Sequence, residues 1–250
     1  MGTMKQAPII KVQNLTVKYD ERVIVDNISF NVNSGEVFVI LGGSGSGKTT
    51  VLNRMIGLED PEAGDIFIDG DNIVTAFGEK RLELLRKIGV MYQSSALFGS
   101  MTILENLRLP LEEFTNLPEE AINIIAQNKL NMVGLGDFVN FMPSELSGGM
   151  QKRAALARAM ALDPKILFLD EPSSGLDPII AAQMDELILN LAKTLRITFV
   201  VVSHELPSIY KIADRAIMLY EGKIIAEGDP KTLRDKCDNI TVRKFFNREA

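Results

Sequence analysis

The sequence has little of what would tie a chain to a bilayer or to an oxidising compartment. With Cys237 as its one cysteine, it cannot form an intrachain disulfide. Its longest apolar runs, residues 199–202 and 166–169, are far shorter than the roughly 20 residues of a membrane-spanning helix. Residues 1–11 also lack the long apolar stretch of a secretory leader. We therefore expect a chain without a membrane span that stays in the cytoplasm.

Positive charge is in deficit as well. The chain has 27 Lys and Arg against 33 Asp and Glu, which gives a net charge of −6. Proteins that hold a nucleic-acid backbone or an anionic lipid surface directly usually carry an excess of basic residues. We expect no nucleic-acid partner, and we expect any membrane association to run through another protein. The basic residues of segment 231–250 are diluted by acidic ones, which favours a solvated face there.

The hydrophobic pattern changes along the chain. Between residues 9 and 67 it alternates as in strands separated by turns, which predicts a small β-rich subdomain. Between residues 93 and 163 the apolar spacing becomes helical. Two continuous apolar strands follow, 166–169 and 197–202, joined through a helix over about 178–194. Such runs are typical of strands covered on both faces, so we predict an α/β fold with a mainly parallel sheet wrapped in helices.

A chain of 250 residues without an internal repeat or a long linker favours a single compact unit. We predict one domain over residues 1–250. Its parts are a β-rich subdomain with the first core strands at about 8–92, a helical subdomain at about 94–162, a continuation of the core at about 163–230 and a C-terminal tail at about 231–250.

A glycine-rich segment lies between an apolar strand, residues 37–41, and a helix-like run that starts near Lys48. In such a turn successive backbone N–H groups can converge on a polyphosphate, and the positive end of the helix adds to the attraction. Lys48 can reach the β- and γ-phosphates, and the Thr49 hydroxyl is suited to bind Mg²⁺. This pattern, a P-loop, predicts a nucleotide-binding protein rather than a flexible loop that contains a lysine by chance. Its residues are Gly42, Gly43, Ser44, Gly45, Ser46, Gly47, Lys48 and Thr49, followed by Thr50.

Two acidic residues, Asp170 and Glu171, follow the buried strand 166–169 at the end where open α/β sheets bind ligands. Asp170 suits the coordination shell of Mg²⁺, and Glu171 is placed to orient or deprotonate an attacking water. A helix cap before Pro172 is the structural alternative. The P-loop upstream favours the catalytic interpretation.

Three other candidates are left open by the residue pattern alone. Gln93 follows a predicted strand at 90–92 and could contact Mg²⁺ or the attacking water, or be a surface glutamine. His204 is the one histidine, and it could hydrogen-bond the γ-phosphate and hold Glu171, or be a core or capping residue. Tyr19 could stack on adenine or be an ordinary strand residue.

Segment 146–153 reads Leu-Ser-Gly-Gly-Met-Gln-Lys-Arg and completes a set of motifs with the P-loop, Asp170, Glu171 and His204. Over nearly the whole chain this set resembles the ATP-binding cassette of ABC transporters. The resemblance implies a P-loop NTPase core with an antiparallel β subdomain and a helical signature subdomain, and hydrolysis of ATP with Mg²⁺. It also implies a head-to-tail homodimer, because in that family the signature of one subunit meets the γ-phosphate bound by the other.

The resemblance also assigns roles to individual residues. Glu171 becomes the catalytic base, His204 the switch histidine and Gln93 the coupling glutamine. Tyr19 becomes the residue that stacks on adenine. The residues that would contact nucleotide bound by the other subunit are Ser147, Gly148, Gly149 and Asp177. The implied Mg²⁺ ligands are Thr49, Gln93 and Asp170.

Finer features indicate one branch of the family. The signature has Met150 where most members have glutamine, and with segments 93–98 and 242–246 it is similar to the ATPases of Mla/Mce-type lipid transporters. That resemblance implies phospholipid transport between membranes, with integral permease subunits and an Mce-domain lipid-binding protein as partners. The cassette would lie on the cytoplasmic side of the inner membrane, bound peripherally through the permease.

Two alternatives stay open. One is the ATPase of another ABC importer, for amino acids or ions, although the short segment after Pro230 leaves little room for a regulatory domain. The other is a soluble ABC protein that acts on ribosomes or DNA, which the acidic charge and the single cassette disfavour. In a transporter, a permease helix would dock in a groove lined by residues 96–104. Leu97, Phe98 and Met101 fit that groove, or they are plain core residues.

Overall fold

The structure, a computed structural model, describes residues 7–248. Residues 1–6, which enter the expectation about a leader, lie outside the described residues. Within the described range the strands are, in chain order, β1 (Ile10–Tyr19), β2 (Arg22–Val32), β3 (Val37–Leu41), β4 (Ala63–Ile68), β5 (Asp71–Asn72), β6 (Ile88–Met91), β7 (Ile166–Asp170), β8 (Thr198–Ser203), β9 (Arg215–Tyr220) and β10 (Lys223–Gly228). The α-helices are α1 (Lys48–Met55), α2 (Gly78–Arg86), α3 (Ile103–Phe114), α4 (Glu119–Met132), α5 (Gly148–Ala159), α6 (Pro178–Leu195), α7 (Leu206–Ile212), α8 (Pro230–Lys236) and α9 (Ile240–Asn247). None of these helices combines the length and the hydropathy of a bilayer-crossing segment.

The larger sheet has the strand order β10-β9-β3-β8-β7-β6. Its strands are parallel except for β10, which pairs antiparallel with β9 at one edge. The central strands β3, β8 and β7 are buried at every residue. In β3, Val37 and Val39 pack on the helical side, whereas Phe38 and Ile40 pack on the opposite side. Burial on both faces therefore explains the continuous apolar sequence of these strands.

The smaller sheet is antiparallel and has the strand order β2-β1-β4-β5. Helix α1 buries Val51, Leu52 and Met55 in the same apolar cluster as residues of β1 and β3. Because α1 begins directly after the glycine-rich turn, this packing fixes the position of that turn. The predicted α/β fold is confirmed, with its mainly parallel core sheet, its antiparallel β part and its helical part.

The helical part follows the apolar spacing, with caps at its helix starts. Helix α3 begins after Thr102, whose side chain accepts a hydrogen bond from the Glu105 N–H, while the Glu105 carboxylate accepts from the Thr102 N–H. Pro118 precedes α4, and Ser147 precedes α5. The buried residues of these three helices share one apolar cluster with the parallel sheet. The helical part is thereby attached to the sheet that carries the candidate site.

The C-terminal tail has the expected solvated basic face and, in addition, a buried apolar face. Its basic side chains are exposed, but Val242 and Phe246 of α9 are buried in the larger apolar cluster. The Phe246 ring lies 5.8 Å from the Tyr210 ring, centroid to centroid. The tail therefore packs on the core through a short amphipathic helix, whose spacing was obscured in the sequence by the basic residues around it.

Gly89 of β6 lies against the main chain of α5. A methyl group at this position would overlap the Ala159 carbonyl oxygen, which is backbone and cannot rotate away. We expect Gly89→Ala to lower the free energy of unfolding by roughly 2–3 kcal/mol, because the strand or the helix must shift. Chemical denaturation measures the loss. Gly99→Ala is the control, since no neighbour lies within 4 Å of an added methyl group there, and equal stability of the two variants would contradict this close packing.

Candidate nucleotide-binding and hydrolysis site

The glycine-rich turn between β3 and α1 is shaped by backbone approach. At Gly42 a methyl group would overlap the Leu219 carbonyl oxygen and lie 2.7 Å from Ser46 Oγ. Gly47 precedes α1 in the left-handed conformation, with φ 98°, and no side chain caps the helix. The first N–H groups of α1 are thus left for an external acceptor, which is the arrangement that binds phosphate at a helix N-terminus.

Lys48 is the first residue of α1 and is only 8% exposed. Its Nζ donates to the carbonyl oxygens of Gly42, at 3.0 Å, and Gly43, at 2.9 Å. Burial lowers the pKa of this ammonium, while Glu171 and Asp170 raise it. The lysine is therefore held over the turn with a charge that nearby acids help to keep.

Asp170 and Glu171 are buried at the end of β7, with 5% and 7% exposure. The pKa of Asp170 is raised, first by burial and then by Glu171, against opposing effects of the Thr49 hydroxyl, Lys48 and Lys152. Asp170 Oδ1, Glu171 Oε2 and Ser46 Oγ are buried without a hydrogen-bond partner. Orphaned buried oxygens of this kind are rare and indicate places where a cation, a water or a ligand binds.

The residues fit a magnesium ion that is bound together with phosphate. Within residues 7–248 there is no group of three His, Cys, Asp or Glu side chains suited to hold a metal alone. Mg²⁺ usually keeps several waters and binds proteins through one or two oxygen ligands plus substrate phosphates. Thr49 and the orphaned Oδ1 of Asp170 suit that role. The side chain of Gln93 is exposed, and its part in metal binding stays a prediction.

His204 contacts the candidate base directly. Its Nδ1 lies 2.6 Å from Glu171 Oε1, and its side chain is half exposed. This distance is that of a hydrogen bond between the imidazole and the carboxylate, with Nδ1 as the donor whenever the carboxylate is the accepting group. The backbone of Glu171 is left-handed, with φ 49°, and its N–H donates to the Val202 carbonyl at 2.9 Å. One carboxylate oxygen is thus oriented by histidine, and the other is unpartnered.

The signature residues lie with a different set of neighbours. Ser147 caps α5 by accepting from the Met150 N–H at 3.3 Å. A methyl group on Gly149 would lie 2.5 Å from Ile180 Cγ2, so glycine allows α5 and α6 to approach. Asp177 caps α6 by accepting from the N–H groups of Ile179 and Ile180, at 3.0 and 3.1 Å. The contacts of Ser147, Gly149 and Asp177 are therefore with α5 and α6, not with the P-loop.

Tyr19 is tied to the helix that starts at the P-loop. Its hydroxyl accepts from Arg54 of α1 at 2.9 Å and donates to Glu59 at 3.0 Å. The Arg54 guanidinium lies 5.1 Å from the ring centroid, and the tyrosine is 46% exposed. Since arginine covers one face of the ring, a base would stack on the other. Stacking on adenine stays a prediction.

Comparison with known proteins identifies the family. A family model described as ABC transporter matches residues 25–174. The chain belongs to the ABC transporter family. It is an ATP-binding subunit and an ATPase of the ABC cassette type.

Curated relatives of this cassette match over nearly its whole length. It is 42% identical over 242 residues to the intermembrane phospholipid transport system ATP-binding protein MlaF of Haemophilus influenzae, covering 97% of this chain and 91% of the relative. It is 41% identical to MlaF of Escherichia coli K12, covering 96% and 89%. It is also 38% identical over 246 residues to the probable ribonucleotide transport ATP-binding protein mkl of Mycobacterium leprae, covering 98% and 71%.

Solved cassettes share the fold. A dimeric post-hydrolysis state of the ATP-binding cassette MJ0796, bound to ADP and Pi, has a TM-score of 0.80 and 32% identity, covering 88% of this chain and 98% of that one. The cbiO1 structure from Clostridium perfringens, part of the cbiONQ transporter complex, has a TM-score of 0.84 and 30% identity, covering 97% and 96%.

The structure brings some of the predicted site residues into one place, whereas Ser147, Gly149 and Asp177 lie apart from them. Lys48, Asp170, Glu171 and His204 act on one another through the contacts and charges described above. Sequence analysis assigned no role to Lys152, whose buried Nζ donates to the main-chain oxygens of Gln93, at 3.2 Å, and Glu171, at 3.1 Å. Its helical spacing from the buried residues Gly149 and Leu156 was the available signal, because it places a lysine on the inner face of α5.

The position of Lys48 leads to a binding prediction. We expect Lys48→Ala to weaken ATP binding by roughly 10–100-fold, because a hydrogen bond to a charged group is lost. Titration calorimetry with Mg²⁺ present measures the change. Lys165→Ala, which removes an exposed lysine paired with Asp69, is the control and should bind ATP as the wild type does. Tight binding by the Lys48 variant would contradict the proposed phosphate contact.

Proposed function

We propose that this cassette hydrolyses ATP between two copies of itself arranged head to tail, and that the cycle powers a phospholipid transporter. The proposal of catalysis rests on the position of Glu171. It is buried at the end of a core strand beside Lys48 and Asp170, with one oxygen on His204 and the other unpartnered. A carboxylate held in this way is suited to accept a proton from water.

The reaction assigns a task to each side chain. A water oxygen attacks the γ-phosphorus of ATP while Glu171 Oε2 accepts its proton, and the bond from the γ-phosphorus to the bridging oxygen of ADP breaks. His204 holds the opposite carboxylate oxygen, which orients the base. Lys48 and the N–H groups at the start of α1 neutralise charge on the phosphates. Bound Mg²⁺, held by Thr49 and Asp170, with Gln93 as a further candidate, would supply further charge neutralisation.

The dimer is proposed from the separation of the two groups of residues. Ser147 to Gly149 open α5 on the side of α6, away from the contacts of their own P-loop. A second copy would bring that helix start to the γ-phosphate, where its dipole favours an anion. Asp177 would contact the second copy near the nucleotide bound there. Tyr19 would stack on adenine. The similarity to a cassette solved as a dimer supports this arrangement.

Phospholipid is proposed as the transported class because of the MlaF relatives, which match at 41–42% identity. In such a system the cassette would lie on the cytoplasmic side of the inner membrane. Integral permease subunits and an Mce-domain protein would be its partners. The mkl relative, described as a probable ribonucleotide transport protein, makes ribonucleotides the second candidate. An amino-acid or ion importer and a soluble ABC protein are less favoured.

A cavity of about 670 Å³ is the proposed docking place for the permease. It is mainly apolar, and Tyr92, Phe98 and Phe114 contribute aromatic rings. Of the side chains expected there, Phe98 lines the cavity and is 49% exposed. Leu97 is half-buried and packs against the larger core cluster, which favours the alternative of a core residue.

Removal of the proposed base tests the catalytic assignment. We expect Glu171→Gln to bind ATP but to hydrolyse it about 10²–10⁴-fold more slowly, because a general base is lost while the shape is kept. We also expect the variant to accumulate as a dimer when ATP is added. Steady-state ATPase rates and ultracentrifugation measure the two effects. Glu186→Gln on the exposed side of α6 is the control, and hydrolysis by Glu171→Gln at the wild-type rate would refute the assignment.

The transported class needs a separate experiment. The chain is purified from detergent-solubilised native membranes with the subunits that accompany it, and the complex is reconstituted into vesicles. We expect ATP-dependent movement of labelled phospholipid, which should be absent with the Glu171→Gln variant. ATP-dependent uptake of ribonucleotides or amino acids instead would redirect the assignment, and ribosomal or DNA-bound partners would favour a soluble ABC protein.

A further inference from the structure

Lys152 is a buried lysine whose hydrogen bonds go to main-chain oxygens of two site residues. The side chain is on α5, and its residue is 7% exposed. Its Nζ donates to the Glu171 carbonyl at 3.1 Å and to the Gln93 carbonyl at 3.2 Å. Burial lowers the pKa of Lys152, while Glu171 and Asp170 raise it. An ammonium in this position is costly to bury, and its contacts are concentrated on the backbone of the site.

The backbone of Glu171 needs such support. A non-glycine residue at φ 49° is in a sparsely populated conformation, which persists only where several contacts fix it. Four contacts do so here. The N–H donates to the Val202 carbonyl, the carbonyl accepts from Lys152 and from the Ser174 N–H, and the carboxylate is held by His204. Loss of the Lys152 contact would leave the Glu171 carbonyl with the Ser174 N–H alone, at 3.2 Å, and would break the link between α5 and the main chain directly below the carboxylate.

The same helix also holds the segment after Gln93. Arg158, which follows Lys152 on α5, donates to the carbonyl oxygens of Ala96 at 2.8 Å and Ser95 at 3.3 Å. Ser95 and Ala96 both have positive φ, 64° and 49°. Helix α5 therefore holds two segments with left-handed residues through one buried and one half-buried cation, and its first residues are those of the signature.

We propose that Lys152 is a positioning residue for ATP hydrolysis, which holds the main chain of Glu171 and ties it to the Gln93 segment and to the signature helix. The inference rests on the proposed function, because it concerns the base of that reaction. Both hydrogen bonds of Lys152 go to main-chain oxygens rather than to the P-loop turn. Its removal should therefore change the chemical step far more than the binding of ATP.

The test compares three variants in the complex purified through this chain. Lys152→Met keeps an unbranched chain without the donor, and Lys152→Arg keeps a charged donor. Lys129→Met is the matched control, because Lys129 is another buried lysine of the helical part, at 6% exposure, and pairs with Asp163. For each variant kcat, the dissociation constant for ATP and Tm are measured.

We expect Lys152→Met to lower kcat by about 10–100-fold, as a misplaced base does, with less than about a threefold change in ATP affinity. Lys152→Arg should recover a large part of kcat, and Lys129→Met should keep the wild-type kcat. A kcat for Lys152→Met within about twofold of Lys129→Met would overturn the inference. A loss of kcat that Lys152→Arg does not relieve would also overturn it. So would a loss of kcat that is accompanied by an equal fold-loss of ATP affinity and by a lower Tm.

Failure of the proposed function would look different. A wild-type complex that neither binds nor hydrolyses ATP would remove the reaction itself, and the inference with it. If the wild-type complex hydrolyses ATP and the Lys152→Met complex does so equally well, only the proposed role of Lys152 is refuted.

Discussion

Burial of charge at the carboxyl end of the parallel sheet is the constraint that organises this molecule. Lys48, Lys152, Asp170 and Glu171 are each less than 9% exposed. An isolated charge buried in this way would cost several kcal/mol. Burial alone lowers the pKa of both lysines and raises the pKa of Asp170. The neighbouring charges of opposite sign shift each of these pKa values in the reverse direction. The two carboxylates therefore favour the charged form of both lysines and the two lysines favour the charged form of Asp170, whereas Glu171 disfavours the charge on Asp170.

Within the described part of the chain, three buried oxygens of the site have no hydrogen-bond partner. Asp170 Oδ1, Glu171 Oε2 and Ser46 Oγ have no partner, although hydrogen bonds are available to most buried oxygens. In the proposed reaction these atoms would meet a metal ion, a water and a phosphate. Local stability would then be given up at the atoms that the proposed reaction uses, which is the common relation between stability and activity at functional sites.

The sequence was most informative where one physical requirement acts alone. The strands β3, β7 and β8 could be predicted because both of their faces are buried, and the turn before α1 because its backbone requires glycine at Gly42 and Gly47. The roles of Lys152 and Arg158 could not be predicted. Their acceptors are main-chain oxygens between 19 and 63 positions away, which carry no side-chain signature. The packing of Phe246 was hidden for a related reason, since a short helix offers few apolar positions.

Helix α5 brings these constraints together. Its N-terminus carries Ser147, which caps α5, and Gly149, which lies against α6, while Lys152 and Arg158 further along hold the backbone around Glu171 and Gln93. A rigid helix cannot move at one end without moving at the other. In the proposed dimer its first turn would bind the phosphate of one site while its buried lysine holds the base of the other. Closure on ATP at either site would then be transmitted to both bases through α5 itself, without a separate hinge.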